Sequence, residues 1–189
     1  MTRILLAALL AVPLWAGLAR SATLEGVTLP DTYPVEGQTL VLNGIGLRTL
    51  TILNVRVYVA GLYLAQRSRD AQQILASATP KVLLLQFLRS GSKSEVERQF
   101  HNGETVNCGS GGCDPADQAD FDRLVAAAPA VSAGDTFTFV LTARGVRFYA
   151  NNRLLAQSDK PDLGRLILLG YLGSHPPSAD LRRALLGGP

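Results

Sequence analysis

Thr136-Phe137-Thr138-Phe139-Val140-Leu141-Thr142-Ala143-Arg144-Gly145-Val146-Arg147-Phe148-Tyr149 is the stretch that decides the architecture. Side chains alternate between the two faces of a strand, so Thr136, Thr138 and Thr142 fall on one side and Phe137, Phe139 and Leu141 on the other. Ala143-Arg144-Gly145 reads as a turn, and residues 146–149 return the chain beside the first strand. Asn151-Asn152 gives a second tight turn, because Asn tolerates positive φ, and leads into a strand over 153–156. Hairpin links of this kind make antiparallel neighbours, not the βαβ crossovers of a parallel sheet.

The rest of the chain extends the pattern. Strands are expected over 39–42 and 47–53, flanking Asn43-Gly44-Ile45-Gly46, whose glycines suit a turn or bulge. Residues 22–29 are short and mixed, and Pro30 and Pro34 punctuate a loop. A long strand is expected over 56–64 and a short helix over 70–77, stopped by Pro80. The continuous apolar run 81–88 suits a central strand covered on both faces. Ser92 stands three residues before Glu95, a capping-box spacing that opens a helix leading to Phe100. Further helices are expected over 117–128, 162–172 and, behind Ser178 as cap, 180–186. Strands, helices, strands, helices joined by hairpins make an α+β fold, an antiparallel sheet with helices packed on one face.

One charge stands out. In Leu47-Arg48-Thr49-Leu50-Thr51-Ile52, Arg48 is in phase with the apolar positions Leu50 and Ile52 and out of phase with the threonines. It therefore shares the side that ought to be buried. A guanidinium does not escape burial by deprotonating, so it needs a carboxylate, several carbonyls, water or a bound anion.

The N-terminus reads as a secretory leader over residues 1–21: Arg3, an apolar stretch from Ile4 to Trp15, then small residues that allow cleavage after Ala19 or Ser21. The apolar part is too short for a comfortable span, and no later segment approaches one, so no stable membrane span is expected after cleavage. The chain has 18 basic and 15 acidic residues; removing Arg3 and Arg20 leaves 16 basic residues, close to balance. Without a Lys/Arg run or a basic stripe with interleaved aromatics, nucleic acid is excluded as an expected partner. The remainder, residues 22–189, fits a single domain with a sizeable core. The expected location is outside the cytoplasm, periplasmic or secreted.

Cys108 and Cys113, the only cysteines, enclose Gly-Ser-Gly-Gly. Such a flexible loop lets the sulfurs meet, and an oxidising compartment would close a local disulfide. A metal centre with His101 would be a ligand short of a closed zinc site, and a redox pair would lack the Cys-x-x-Cys spacing. The expectation is a disulfide, with no metal and no cofactor. His101 and His175 read as surface loop or helix-end residues.

Leu42-Asn43-Gly44-Ile45-Gly46-Leu47-Arg48, Val57-Tyr58-Val59-Ala60-Gly61-Leu62-Tyr63-Leu64, Gly134-Asp135-Thr136, Leu169-Gly170-Tyr171-Leu172-Gly173 and Asp180-Leu181-Arg182-Arg183-Ala184-Leu185-Leu186 come in this order. Together they resemble the chalcone isomerase superfamily, in its bacterial, exported, chalcone-isomerase-like branch. The resemblance runs from about Leu24 to Leu186 and implies an open-faced β-sandwich, a curved antiparallel sheet backed by a layer of helices. In the plant enzymes of that superfamily, the Arg of Gly-x-Gly-x-Arg guides a chalcone phenolate into ring closure; Arg48 matches it. The enzymes carry Thr five residues before the Tyr of Gly-x-Tyr-Leu, where this chain has Tyr58. A Tyr there is similar to the fatty-acid-binding branch, in which Arg and Tyr together hold a carboxylate.

Three functions follow as expectations. The first is a non-catalytic binder of a small hydrophobic acid, Arg48 and Tyr58 clamping its head. The second is a structural or interaction protein in which Arg48 satisfies carbonyls or pairs with an acid. The third is an intramolecular lyase acting on a chalcone-like enone, with Arg48 as its electrostatic guide. The loss of the enzymes' Thr weighs against catalysis. Tyr171, where relatives often carry Trp, is expected to be helix-to-sheet packing.

Overall fold

The computed structural model describes residues 21–50, 53–108, 113–176 and 178–188. Except for Ser21, the leader lies outside the described residues, as do Thr51 and Ile52, which helped to phase Arg48. In chain order the elements are β1 (Ser21–Leu24), β2 (Val27–Pro30), β3 (Thr32–Val35), β4 (Gln38–Leu50), β5 (Val55–Leu64), α1 (Ala71–Ala76) and β6 (Lys81–Phe87). They continue with α2 (Lys93–Cys108), α3 (Pro115–Ala126), β7 (Thr136–Thr142), β8 (Gly145–Ala150), β9 (Arg153–Ser158), α4 (Pro161–Leu172) and α5 (Ala179–Leu185).

Strands β3 to β9 pair in sequence order as one seven-stranded antiparallel sheet, and β1 and β2 form a separate hairpin. The hairpin that opened the sequence reading pairs as expected, Phe139 opposite Phe148. Asn151 and Asn152 take positive φ at the next turn. The sheet curls until Glu36, in the β3–β4 turn, accepts from Arg147 of β8 and pairs with Arg144 at 2.6 Å. Helices α1 to α5 pack on one face, against a core that includes Leu83, Leu85, Phe137, Phe139 and Phe148. The other face is also covered: Val59, Tyr63, Val82 and Val140 pack with Val27 and Leu29 of β2. Run 81–88 is thus the doubly covered central strand its composition implied.

Three segments depart from the sequence reading. Residues 38–50 are one 13-residue strand, not two, with a register shift between Leu42 and Gly44. The glycines make no turn; they admit α5, as described below. Thr32–Val35, read as a loop, is the edge strand β3. Pro34 is tolerated there because an edge strand has one side whose N–H groups need no ladder partner. Helix α2 continues beyond Phe100 to Cys108, which puts His101 mid-helix rather than at an end.

Cys108 and Cys113 are joined, Cα to Cα 5.0 Å, and tie the last residue of α2 to the approach of α3. A loop this short constrains the unfolded chain only modestly, about 2 kcal/mol. Reduction is therefore expected to lower the melting temperature by roughly 4–8 °C in differential scanning calorimetry. A collapse of the fold on reduction would show that the bond holds more than α2 to α3.

Candidate functional site

The site begins with a row across the sheet. Arg48 on β4 lies opposite Tyr58 on β5, and Tyr58 lies opposite Phe87 on β6. Directly opposed residues of antiparallel strands share a face, and here it is the helix-covered one. Phe87 meets Tyr58 edge-on at 5.8 Å and Phe137 edge-on at 4.9 Å between ring centroids. The expectation that Arg48 is withdrawn from water holds: it is 7% exposed. Its Nη1 donates to the Thr49 carbonyl at 2.7 Å.

A bulge between Arg48 and Thr49 shifts the pairing, so Thr49 faces Arg56 and Leu50 faces Val55. Arg56, which shares strand parity with Tyr58, turns out exposed and salt-bridged to Glu25 at 2.5 Å. It brings no second charge into the core.

Above the row, α2 and α4 leave a cavity of about 280 Å³. Its wall is largely apolar: Val57, Leu85 and Phe87 from the sheet side, Phe100 from α2, Leu166 and Ile167 from α4. Gly103 and Gly170 let the two helices approach, since a Cβ at Gly103 would stand 3.3 Å from the Gly170 Cα. Polar groups line it at three places. Tyr58 and Tyr171 form a buried pair of phenols, Gln99 and Glu104 come half-buried from α2, and Arg89, Ser90, Glu95 and Arg98 form an exposed rim. Few polar groups on an apolar wall is the usual make-up of a small-molecule site.

The phenols and the guanidinium form one electrostatic unit. Burial raises the Tyr58 pKa, against a lowering by the nearby Arg48 charge and by hydrogen bonding with Tyr171. Burial likewise holds Tyr171 well above the usual tyrosine range, reinforced by Tyr58 and opposed by Arg48. Both phenols therefore stay protonated. Arg48 itself does not line the cavity; it stands one strand outward and acts on the pair through its field. In a site screened from water such a field is felt far more strongly than in bulk solvent.

Of the residues singled out in the sequence, Arg48 and Tyr58 are neighbours across β4 and β5, and of this pair only Tyr58 lines the cavity. Tyr171 packs in the helix-to-sheet core as expected, and its hydroxyl also bonds with that of Tyr58. Its position on α4 carries no signal until the helix is known to cross that end of β5. His175 is exposed beyond α4 as expected, whereas His101 faces Glu104 and Asp122 across α2 and α3. The rim residues Arg89 and Arg98 had no sequence signal, and Glu95 was legible only as a helix cap.

The sequence profile of the chalcone isomerase-like family matches residues 21–187. No curated protein matches the chain in sequence. Among solved structures, the crystal structure of an Arabidopsis thaliana fatty-acid binding protein is similar, with a TM-score of 0.68. That match has 16% sequence identity and covers 88% of this chain and 96% of the other. At that identity the likeness is one of fold.

Proposed function

The chain belongs to the chalcone isomerase-like family, and from that premise we propose that it is a non-catalytic carrier of a small amphipathic carboxylate, of the bacterial exported branch. The observation that carries this reading is the layout of the cavity, a largely apolar wall with two buried, protonated phenols under the field of a buried guanidinium and its charged groups mostly at an exposed rim. Two phenols that bond to each other use one hydroxyl proton, which leaves the second for an outside acceptor. A carboxylate is an acceptor with no proton to give at neutral pH, and Arg48 offsets its charge. The similar fold of a protein described as binding fatty acids supports the same ligand class. Export under the leader of residues 1–21 fits an oxidised Cys108–Cys113 pair.

Catalysis is the weaker reading. Ring closure of a chalcone needs groups that strengthen their hold as charge develops, and the Thr of the enzymes is replaced by Tyr58.

Native mass spectrometry of protein purified without detergent is expected to show one co-purifying lipid acid per chain. Tyr58→Phe, which removes one hydroxyl and little volume, is expected to weaken binding of a medium-chain fatty acid by about 10- to 100-fold in calorimetry. Protein that emerges empty and takes up no fatty acid would reject the carrier reading.

A further inference from the structure

Away from the cavity's phenols, one imidazole and two carboxylates converge between α2 and α3. His101 Nδ1 stands 3.7 Å from Glu104 Oε2 and 3.6 Å from Asp122 Oδ1. All three donor atoms lie within 4.8 Å of one another. We infer that His101, Glu104 and Asp122 form a binding site for a divalent transition ion of the zinc class, with its remaining positions taken by water.

The geometry is close to what such an ion needs. Zinc holds imidazole nitrogen and carboxylate oxygen at about 2.0–2.2 Å. Two donors 3.6–3.7 Å apart subtend roughly 120° at an ion bonded to both at that length, a little wider than tetrahedral. Asp122 is 62% exposed and on the far helix, so a change of rotamer closes the remaining gap.

The surroundings hold the donors in place. Gln118 donates to Glu104 Oε1 at 3.0 Å, which fixes that carboxylate and leaves Oε2 turned to His101. Phe121 meets the His101 ring at 5.9 Å, edge to face. His101, Glu104 and Cys108 follow one another at helical intervals of three and four, so they share a face of α2. The disulfide from Cys108 thus pins α2 to the approach of α3 one turn beyond Glu104, and keeps the donors of the two helices near each other. A mixture of imidazole and carboxylate favours zinc-class ions over magnesium or calcium, which take oxygen alone. With open positions and an exposed face, the site is one of exchangeable occupancy rather than a structural zinc on which folding depends.

This inference does not depend on the carrier reading. Its test is equilibrium dialysis of tag-free, chelator-stripped, oxidised protein against Zn²⁺ alone, with the metal counted by mass spectrometry. One Zn²⁺ per chain with micromolar affinity is expected. His101→Ala and Asp122→Asn are each expected to weaken it at least about tenfold, while His175→Ala leaves it unchanged. Neither ligand substitution threatens the fold, since Ala favours a helix and Asp122 is exposed; melting curves check this. The site is refuted if no Zn²⁺ binds at roughly 100 µM, far above the expected affinity, or if His101→Ala retains wild-type uptake.

Discussion

Gly44→Ala is expected to lower the stability of the protein by about 3 kcal/mol, which for a chain of this size is a fall of roughly 6–12 °C in melting temperature. The reason is that α5 lies directly on β4. A Cβ at Gly44 would stand 2.0 Å from the Ala184 carbonyl oxygen and 2.8 Å from that of Leu185. These are backbone atoms at the end of a helix, so relief requires the helix to move. Neighbouring bonds resist that movement. Asn43, buried at the register shift, donates to the Leu185 carbonyl at 2.7 Å and to the Ser68 carbonyl at 3.0 Å, and accepts from the Ser68 amide at 2.8 Å. Lifting α5 also uncovers Leu181 and Leu185, both fully buried. Gly91→Ala is the control: its added Cβ would find a Val131 methyl at 3.5 Å and the Glu95 carboxylate at 3.8 Å, both ordinary contacts, and a change within about 0.5 kcal/mol is expected. Thermal or urea unfolding of the two variants side by side decides the matter. Equal melting temperatures would mean that α5 does not sit on β4.

The same glycines explain what the sequence discloses and what it withholds. Asn43-Gly44-Ile45-Gly46 has a turn-like composition, and local pattern favours splitting the strand there. The reason to continue it is a helix more than 130 residues further on, whose carbonyls need the missing side chains. Information at that separation leaves no local periodicity. The β7–β8 hairpin was legible because its signal is wholly local: alternation, a Gly-containing turn, alternation again. Arg48 was legible for a different reason, as a violation of alternation that only burial against a partner explains. Tyr171 and His101 were not. Each gains its significance from a residue on another element, Tyr58 for the one and Asp122 for the other. The helix opened by Ser92 was followed only to Phe100, whereas α2 runs on to Cys108 through Gly103, the contact point with Gly170.

Arg48→Leu is expected to weaken binding of a medium-chain fatty acid by about 100-fold or more while leaving the alcohol of equal chain length within about twofold. Removing one member of a buried charge pair costs on the order of 3–5 kcal/mol, because the remaining charge stays desolvated and uncompensated; each 1.4 kcal/mol is about tenfold in affinity. The alcohol has no charge to strand, so the acid-to-alcohol ratio isolates the electrostatic part from any change in packing. Melting curves of the variant check the fold; leucine fills much of the volume, and the half-buried Thr49 carbonyl that loses a donor can turn to water. If Arg48→Leu fails to fold, Arg48→Lys supplies the comparison: a charge of the same sign on a flexible, strongly hydrated ammonium that holds its field on the phenols less firmly, expected to bind the acid at intermediate strength. The rim gives the competing arrangement, since Arg89 and Arg98 also line the cavity and both are exposed. A carboxylate paired there is screened by solvent and by Glu95 between the two cations, so Arg89→Ala and Arg98→Ala are each expected to change acid affinity by no more than about fivefold. Titration calorimetry across these variants therefore locates the head of the ligand. If the acid is lost with Arg98 and kept without Arg48, the carboxylate sits at the mouth and the buried guanidinium serves the sheet alone.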